Sequence, residues 1–510
     1  MAGVPKMADE NRVEILRFEP PRRVGGIAGR RIALAQGGFE IPVINPATEE
    51  VISTLREDGP EDVDAAVVAA RRAFDETDWP RMELGERKAL IRKALAHVRA
   101  HADELAYIDC LDTGVPLWDI RGRKISRVLE NFDFFLEVAS NASGETFQQN
   151  PKYLTYVTRE PVGVAAIIAP WNSPMSLASM QIAPALAFGN TCVVKPSEHT
   201  PLSLFRMIEL LIEGGIPEGV INLVNGRGPV TGSALVSHPG VDLVKFIGGT
   251  ETGKSIMSAA ATGLKEVGLE LGGKSANIIF DDADLEDALN GALLGIYSNN
   301  GQQCLAGSRI LVQRSIAEDF MARFAERAGK IRVGDPLDPK TEVGPLAFKA
   351  HYERVLSFVD IAKADGAKVL AGGGRAPGFD KGYYFSPTAV LAPSNETRVC
   401  QEEIFGPFGT FLVFDDEAEA VRIANQSKFG LVSYLWSRDV TRVMRVSQAV
   451  RAGTIWVNTP LTREVRAPFG GFKESGLGRD SARHSLDFYT EQKTTTLPLD
   501  KLTLRTLGAG

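Results

Sequence analysis

Cys304 stands in the segment Asn300-Gly301-Gln302-Gln303-Cys304-Leu305-Ala306-Gly307-Ser308-Arg309. Its chain neighbours are small or amide-bearing, whereas a structural cysteine is ordinarily buried among apolar groups that keep the thiol inert. Backbone N–H groups in such a glycine-flanked stretch can approach an anion at the sulfur. The setting suits a nucleophile, and a nucleophile needs a base, an oxyanion donor and an electron acceptor to define a reaction.

Four other segments offer those parts. Glu270 in Leu269-Glu270-Leu271-Gly272-Gly273-Lys274 ends an apolar run and precedes two glycines, so it projects at a strand end as a partly desolvated carboxylate suited to base work. Asn172 in Pro170-Trp171-Asn172 carries an amide donor for a developing oxyanion. Phe246-Ile247-Gly248-Gly249-Thr250-Glu251-Thr252-Gly253 turns on glycines into a helix start that favours phosphate. Val193-Val194-Lys195-Pro196-Ser197-Glu198 puts a lysine and a glutamate after a buried strand; such a glutamate accepts ribose hydroxyls and repels a 2′-phosphate, favouring NAD over NADP. Read singly, each has a plainer alternative: a salt-bridged carboxylate, a turn asparagine capping its own backbone, a common glycine turn, or solvated charges.

The elements that must position these residues follow from periodicity. Glu61–Phe74 and Glu86–Asp109 read as amphipathic helices. Apolar runs at Val164–Ile168, Thr191–Val194, Val220–Leu223, Leu243–Ile247 and Glu266–Glu270 alternate with helical runs at Ser176–Phe188, Pro201–Glu213, Val230–Ser237 and Thr252–Ala261, which predicts a doubly wound parallel sheet. A second α/β set follows, with strands near Ala276–Phe280, Arg309–Val312, Thr410–Phe414 and Thr454–Val457. Its helices fall near Asp284–Tyr297, Ile316–Ile331, Lys349–Asp365 and Glu417–Asn425. Thr155–Thr158 and Tyr489–Leu497 alternate like exposed strands, and unpaired edges of that kind predict subunit association.

Composition sets the limits. With 510 residues, 44% hydrophobic, 24% charged and net charge −7, the chain suits a globular protein of two or three domains, with no basic patch for nucleic acid or membrane surfaces. Met1–Arg12 is polar, so no secretory leader is expected, and no apolar run reaches membrane-spanning length; the expected compartment is the cytoplasm. Cys110, Cys192, Cys304 and Cys400 are widely spaced, which supports neither disulfides nor a zinc ribbon. His97 and His101 lack the glutamate of H-E-x-x-H, so no metal is expected.

Six motifs occur in order: Pro170-Trp171-Asn172, Lys195-x-x-Glu198, Glu270-Leu271-Gly272-Gly273-Lys274, Gly301-Gln302-x-Cys304, Glu402-Glu403-Ile404-Phe405-Gly406-Pro407 and Pro468-Phe469-Gly470-Gly471. Through them the chain resembles the NAD(P)-dependent aldehyde dehydrogenases from roughly Asn45 to Thr496. The resemblance implies two Rossmann-like parallel-sheet domains with a small β oligomerisation arm. Residues 1–150 and 162–271 would bind NAD, 272–480 would form the catalytic domain, and 151–161 with 486–510 the arm of a homodimer or homotetramer. It also implies a thioester mechanism, with Cys304 as nucleophile, Glu270 as general base and Asn172 as oxyanion donor. The cofactor residues would be Ile168, Ala169, Pro170, Trp171, Lys195, Ser197, Glu198, Gly228, Phe246, Gly248, Gly249, Thr252, Leu271, Gly272, Glu403 and Phe405. Two departures stand out: Gly249 replaces a common serine, and no glutamate stands near Arg483, where many relatives carry one thought to relay protons; a relay here is either absent or uses another residue, and the sequence leaves open whether Arg483 or His484 takes that place.

Within the family the chain is most similar to the semialdehyde dehydrogenases that act on 2-hydroxymuconic semialdehyde and its carboxymethyl relative, through Arg332-Val333-Gly334-Asp335-Pro336-Leu337, Ile455-Trp456-Val457-Asn458 and Gly478-Arg479-Asp480. Such substrates carry carboxylates, for which Arg127 and Arg463 are the expected forks. Leu177, Met175, Trp456 and Leu305 would equally line a tunnel for a neutral aliphatic, terpenoid or aromatic aldehyde. A non-catalytic homologue or a CoA-acylating relative are the rival readings. The retained Cys304, Glu270 and Asn172 weigh against the first, and Glu270 alone against the second, because thiolysis needs no base to activate water.

Overall fold

The apolar runs between Val164 and Glu270 form the centre of an eight-stranded sheet in the computed structural model, which describes residues 18–31, 38–505 and 507–508. The segment expected to lack a leader lies outside the described residues. The strand order is Gly476–Leu477, Glu266–Glu270, Leu243–Ile247, Val164–Ile168, Thr191–Lys195, Ile221–Leu223, Ile27–Ala28 and Arg30–Arg31. The strands from Glu266–Glu270 through Ile221–Leu223 are parallel. Val164 to Ile167 are all buried, as strands covered on both faces require. Chain order reverses between Val164–Ile168 and Leu243–Ile247, which opens a crevice at the carboxyl ends of the strands.

The second sheet has seven strands in the order Lys368–Ala371, Thr388–Leu391, Phe408–Phe414, Arg309–Gln313, Ala276–Ile279, Val432–Trp436 and Thr454–Val457, all parallel except the first. Successive residues feed opposite layers: Ile278 packs with Val355 and Phe358, while Ile279 packs with Leu289, Phe320 and Phe324. Helix Leu285–Tyr297, which delivers the chain to Cys304, starts at Asp284, whose carboxylate accepts from the N–H groups of Glu286 and Asp287.

A third sheet joins Thr490–Pro498, Tyr153–Pro161 and Glu145–Phe147 by antiparallel pairing. Two expectations need correction, and two strands add to those expected. Gly476–Leu477 pairs with Glu270 in the first sheet, and helix Ala482–Tyr489 buries Leu486 and Tyr489 in the first core, so the chain returns to the first domain before residue 480. The run Glu86–Asp109 is two helices, Leu84–Ala100 and Ala102–Thr113, because His101 leaves helical geometry at φ −109° and ψ 20°. Strands Thr388–Leu391 and Val432–Trp436 carry apolar runs whose period was not read. Among the described residues no helix is long and apolar enough to cross a membrane.

Candidate active site

The carboxyl ends of the first sheet face the amino ends of the second. Ala169, Lys195, Gly248 and Glu270 lie at the former; Gly273, Cys304 and Glu403 precede the strands Ala276–Ile279, Arg309–Gln313 and Phe408–Phe414 at the latter. Hydrogen bonds cross between them. The Asn172 side-chain amide donates to the Gln302 carbonyl at 2.8 Å, and a Cβ on Gly273 would come within 2.5 Å of the Cys304 carbonyl.

Space overturns what the chain neighbours of Cys304 suggested. Its polar neighbours point elsewhere: Gln302 accepts from the Ala347 N–H, Gln303 donates to the Gly295 carbonyl, and Asn300 donates to the Gly114 and Pro345 carbonyls. The half-buried Cys304 instead packs beside an apolar group of Leu431, Val432, Tyr434 and Trp456, with Leu305, Leu461 and Phe469. Burial, followed by the charges of Glu403 and Glu270, pushes its thiol up to about 12. At neutral pH the sulfur is therefore a thiol, and attack requires a proton acceptor.

Glu270 is the last residue of its strand, fixed by pairing with Ile247 on one side and Gly476 on the other. Both carboxyl oxygens are buried without a protein donor, and Gly470 leaves them room, since a Cβ there would stand 3.0 Å from Oε1. Burial first, then Asp480, holds the carboxyl well above the ordinary range; Lys245, Arg463 and Arg479 oppose this. Asp480 and Lys245 were not singled out from sequence. Their buried ion pair measures 2.5 Å, and Gln181 donates to the second Asp480 oxygen at 2.7 Å. A lysine inside the buried strand Leu243–Ile247 was the available signal, because such a charge demands a partner. Arg483, by contrast, is three-quarters exposed and reaches Asp487.

The residues expected to hold NAD line the first sheet's crevice. Ile168 ends its strand, and the Ala169 N–H donates to the Lys195 carbonyl. Lys195 is buried, donates to the Pro196 carbonyl at 3.0 Å and stands 3.8 Å from Glu198. The Ser197 hydroxyl accepts from the His199 N–H. Gly248 lies under the Phe246 ring, where a Cβ would clash at 2.4 Å, and Gly249 and Gly228 face open space. Helix Thr250–Ala261, with Thr252 exposed in its first turn, starts at Gly249 without a side-chain cap. Its first N–H groups are thus available to phosphate. The Leu271 N–H donates to the Ser475 carbonyl. Across the cleft, Glu403 accepts from the Gly273 N–H at 2.8 Å, and a Cβ at 272 would lie 2.2 Å from the Glu403 carboxylate, displacing it. Burial pushes the Glu403 carboxyl up to about 7 against that hydrogen bond and the charges of Lys274 and Arg354. Phe405, at φ 63°, meets Trp171, which follows Pro170, edge-on at 5.1 Å. Carboxylates for two riboses, a helix start and glycine clearances fit a dinucleotide.

Arg127 comes close enough to disfavour the charge on Arg463, where burial is the larger influence. Arg127 has Glu130 at 3.7 Å, whereas Arg463 has no ion pair among the described residues. It rests Nη1 against the Met180 sulfur at 2.8 Å and lies over Phe469 at 5.0 Å, leaving Nε buried and unbonded. Leu177 is half-buried and Trp456 packs with Tyr434 at 5.1 Å; Met175 is buried in the first core rather than in a tunnel. Leu461 and Phe469 escape the sequence reading as lining residues because loop residues 458–470 show no period, and Met180 because in helix Pro174–Ala187 it looks like any core residue.

A sequence profile described as the aldehyde dehydrogenase family matches residues 34–495. The chain is 43% identical to the 5-carboxymethyl-2-hydroxymuconate semialdehyde dehydrogenase of Escherichia coli over 464 residues, covering 90% of this chain and 97% of that one. It superposes on HpcC of Thermus thermophilus with TM-score 0.94, 42% identity and 98% coverage of both chains. It superposes on the NAD+ complex of an aldehyde dehydrogenase of Bacillus cereus with TM-score 0.91, 39% identity and 98% and 100% coverage.

Proposed function

Because this chain belongs to the aldehyde dehydrogenase family, we propose that it oxidises a carboxylate-bearing semialdehyde with NAD as acceptor. Arg463 carries this reading: a half-buried guanidinium with a buried, unbonded Nε and no direct ion pair among the described residues, near both Cys304 and Glu270, offers a partner to a substrate carboxylate. The similarity to a semialdehyde dehydrogenase supports the same substrate class.

The chemistry follows from the residues. Cys304 Sγ attacks the carbonyl carbon as its proton leaves to Glu270, and the carbonyl π electrons move to oxygen. One N–H of the Asn172 amide is held by the Gln302 carbonyl; the other is free for that oxyanion, beside the Cys304 N–H. Each such donor contributes about 3 kcal/mol. Bound NAD supplies the hydride acceptor that turns the thiohemiacetal on Cys304 into a thioester. Glu270, whose oxygens have no protein donor, first gives up the Cys304 proton to solvent and, again ionised, takes a proton from water as the water attacks the thioester. The C–S bond breaks, the carboxylate product departs and the thiolate is reprotonated.

The apolar group around Cys304 supports a second reading, a neutral aldehyde. Kinetics of Arg127→Ala and Arg463→Ala separate the two. A lost charge-assisted contact should lower kcat/KM for an acidic semialdehyde about 10- to 100-fold and leave a neutral aldehyde within about twofold. Equal effects on both substrates would discard the acidic reading. The exposed sheet of Glu145–Phe147, Tyr153–Pro161 and Thr490–Pro498 supports self-association, which sedimentation of the intact protein checks.

A further inference from the structure

The turn that carries Cys304 is built in a costly way. Asn299, Asn300 and Gly301 have φ of 54°, 57° and 71°, three successive residues in the left-handed region. Single asparagines and glycines visit that region, but runs are unfavourable and persist only where the surroundings over-determine them. Here side-chain amides supply the constraint. Asn300 bonds the carbonyls of Gly114 and Pro345 and the Gly344 N–H, which anchors the turn to the body of the molecule. Asn299 does something different. Its Nδ2 group donates to the Gln302 carbonyl at 2.8 Å and to the Asn172 main-chain carbonyl at 3.1 Å. The first bond lies two residues before the nucleophile; the second lies on the residue that carries the oxyanion donor.

The Gln302 carbonyl thus accepts from two amides, Asn299 and Asn172, and the Asn172 carbonyl accepts from Asn299 and, at 3.4 Å, from the buried Lys124 ammonium. Asn172 and Cys304 come from different sheets, far apart in the chain. Asn299 is the side chain that touches the main chain of both segments.

We propose that Asn299 is a positioning residue of the dehydrogenase reaction: its carboxamide locks the Asn172 oxyanion donor in register with the Cys304 turn. The inference rests on the roles assigned above to Cys304 and Asn172. It requires both hydrogens of one amide, because one is spent on each segment. Losing the clamp lets the donor and the sulfur shift independently, and a displacement of about 1 Å costs about 100-fold in rate.

Two variants of the full-length protein test this. Asn299→Gly keeps the left-handed backbone, which glycine adopts freely, and removes the amide. Asn299→Asp keeps the shape but points a second acceptor at two carbonyls. In both, kcat with an aldehyde and NAD should fall about 10- to 100-fold. KM for the aldehyde, the NAD Kd from protein fluorescence and the iodoacetamide alkylation rate of Cys304 should stay within about twofold. Asn172→Ala combined with Asn299→Gly should be little slower than Asn172→Ala alone, since both remove one function. Either variant retaining wild-type kcat, loss of NAD binding and thermal stability in step with kcat, or a fully additive double variant would overturn the proposal. Activity persisting in Cys304→Ala would instead overturn the reading of the site itself.

Discussion

The two sheets bring opposite ends to the same cleft, and their contributions are held by different means. The first sheet offers carboxyl ends, and Glu270 is a strand residue locked by ladder pairing on both sides. The second offers amino ends, and Cys304 precedes its strand on a left-handed turn held by side-chain amides. The base is therefore fixed by the fold, and the nucleophile by a handful of replaceable groups. Damage on the first side should change chemistry without loosening the protein, whereas damage to the backbone of the left-handed turn on the second should do both.

The largest expected effect breaks the base side. Glu270→Gln keeps the size and strand position of the residue but removes the proton acceptor. Steady-state turnover should fall by about 100-fold or more, with no change in melting temperature. Because Glu270 also takes the Cys304 proton, the first turnover should itself be slowed; NADH formed in stopped flow should level off at or below about one equivalent per site, and the enzyme that has reacted should carry an acyl group on Cys304 by intact-protein mass. Full turnover without an acyl adduct would remove Glu270 from the hydrolysis step.

How much of this was legible in the sequence follows the same division. The strands that end at Ile168, Ile247 and Glu270 were readable, because strands buried on both faces leave continuous apolar runs and glycines mark where they stop. Chain order alone then put Glu270 at a crevice. The chain neighbours of Cys304 mislead, because its apolar companions Trp456, Leu461 and Phe469 come from the strand Thr454–Val457 and the loop after it, far along the chain, and its polar neighbours turn away. Arg463 was found by placement, but its rest against Met180 was not, since a thioether in the helix Pro174–Ala187 looks like any core residue. The Lys245–Asp480 pair was missed although Lys245 is a lysine inside an otherwise apolar strand.

A pair of glycine substitutions sharpens the contrast at intermediate size. A Cβ on Gly272 would meet the Glu403 carboxylate, a side chain able to move away, so Gly272→Ala should fold normally and raise KM for NAD about tenfold. A Cβ on Gly301 would meet the Pro407 nitrogen at 2.2 Å, and φ is 71°, so neither neighbour nor backbone can yield cheaply. Gly301→Ala should cost about 1–3 kcal/mol in urea unfolding and lose turnover with it. Equal stabilities for the two variants would erase the distinction between the two sides of the cleft.

The smallest effect concerns what sits behind the base. Glu270 works as a base only when ionised, and its carboxyl is held above the ordinary range by burial first and by Asp480 second. The rising limb of kcat against pH should therefore lie above that of an exposed glutamate, with activity lost as pH falls through it. Asp480→Asn removes the negative charge that disfavours ionisation and leaves the Lys245 ammonium, which favours it, with an amide oxygen still able to accept from it. Both changes act in one direction, so the rising limb should move to lower pH while the plateau changes little. A limb that stays in place would mean that the buried pair acts as a neutral unit and that burial alone sets the base; a limb moving to higher pH would contradict the arrangement of charges around Glu270.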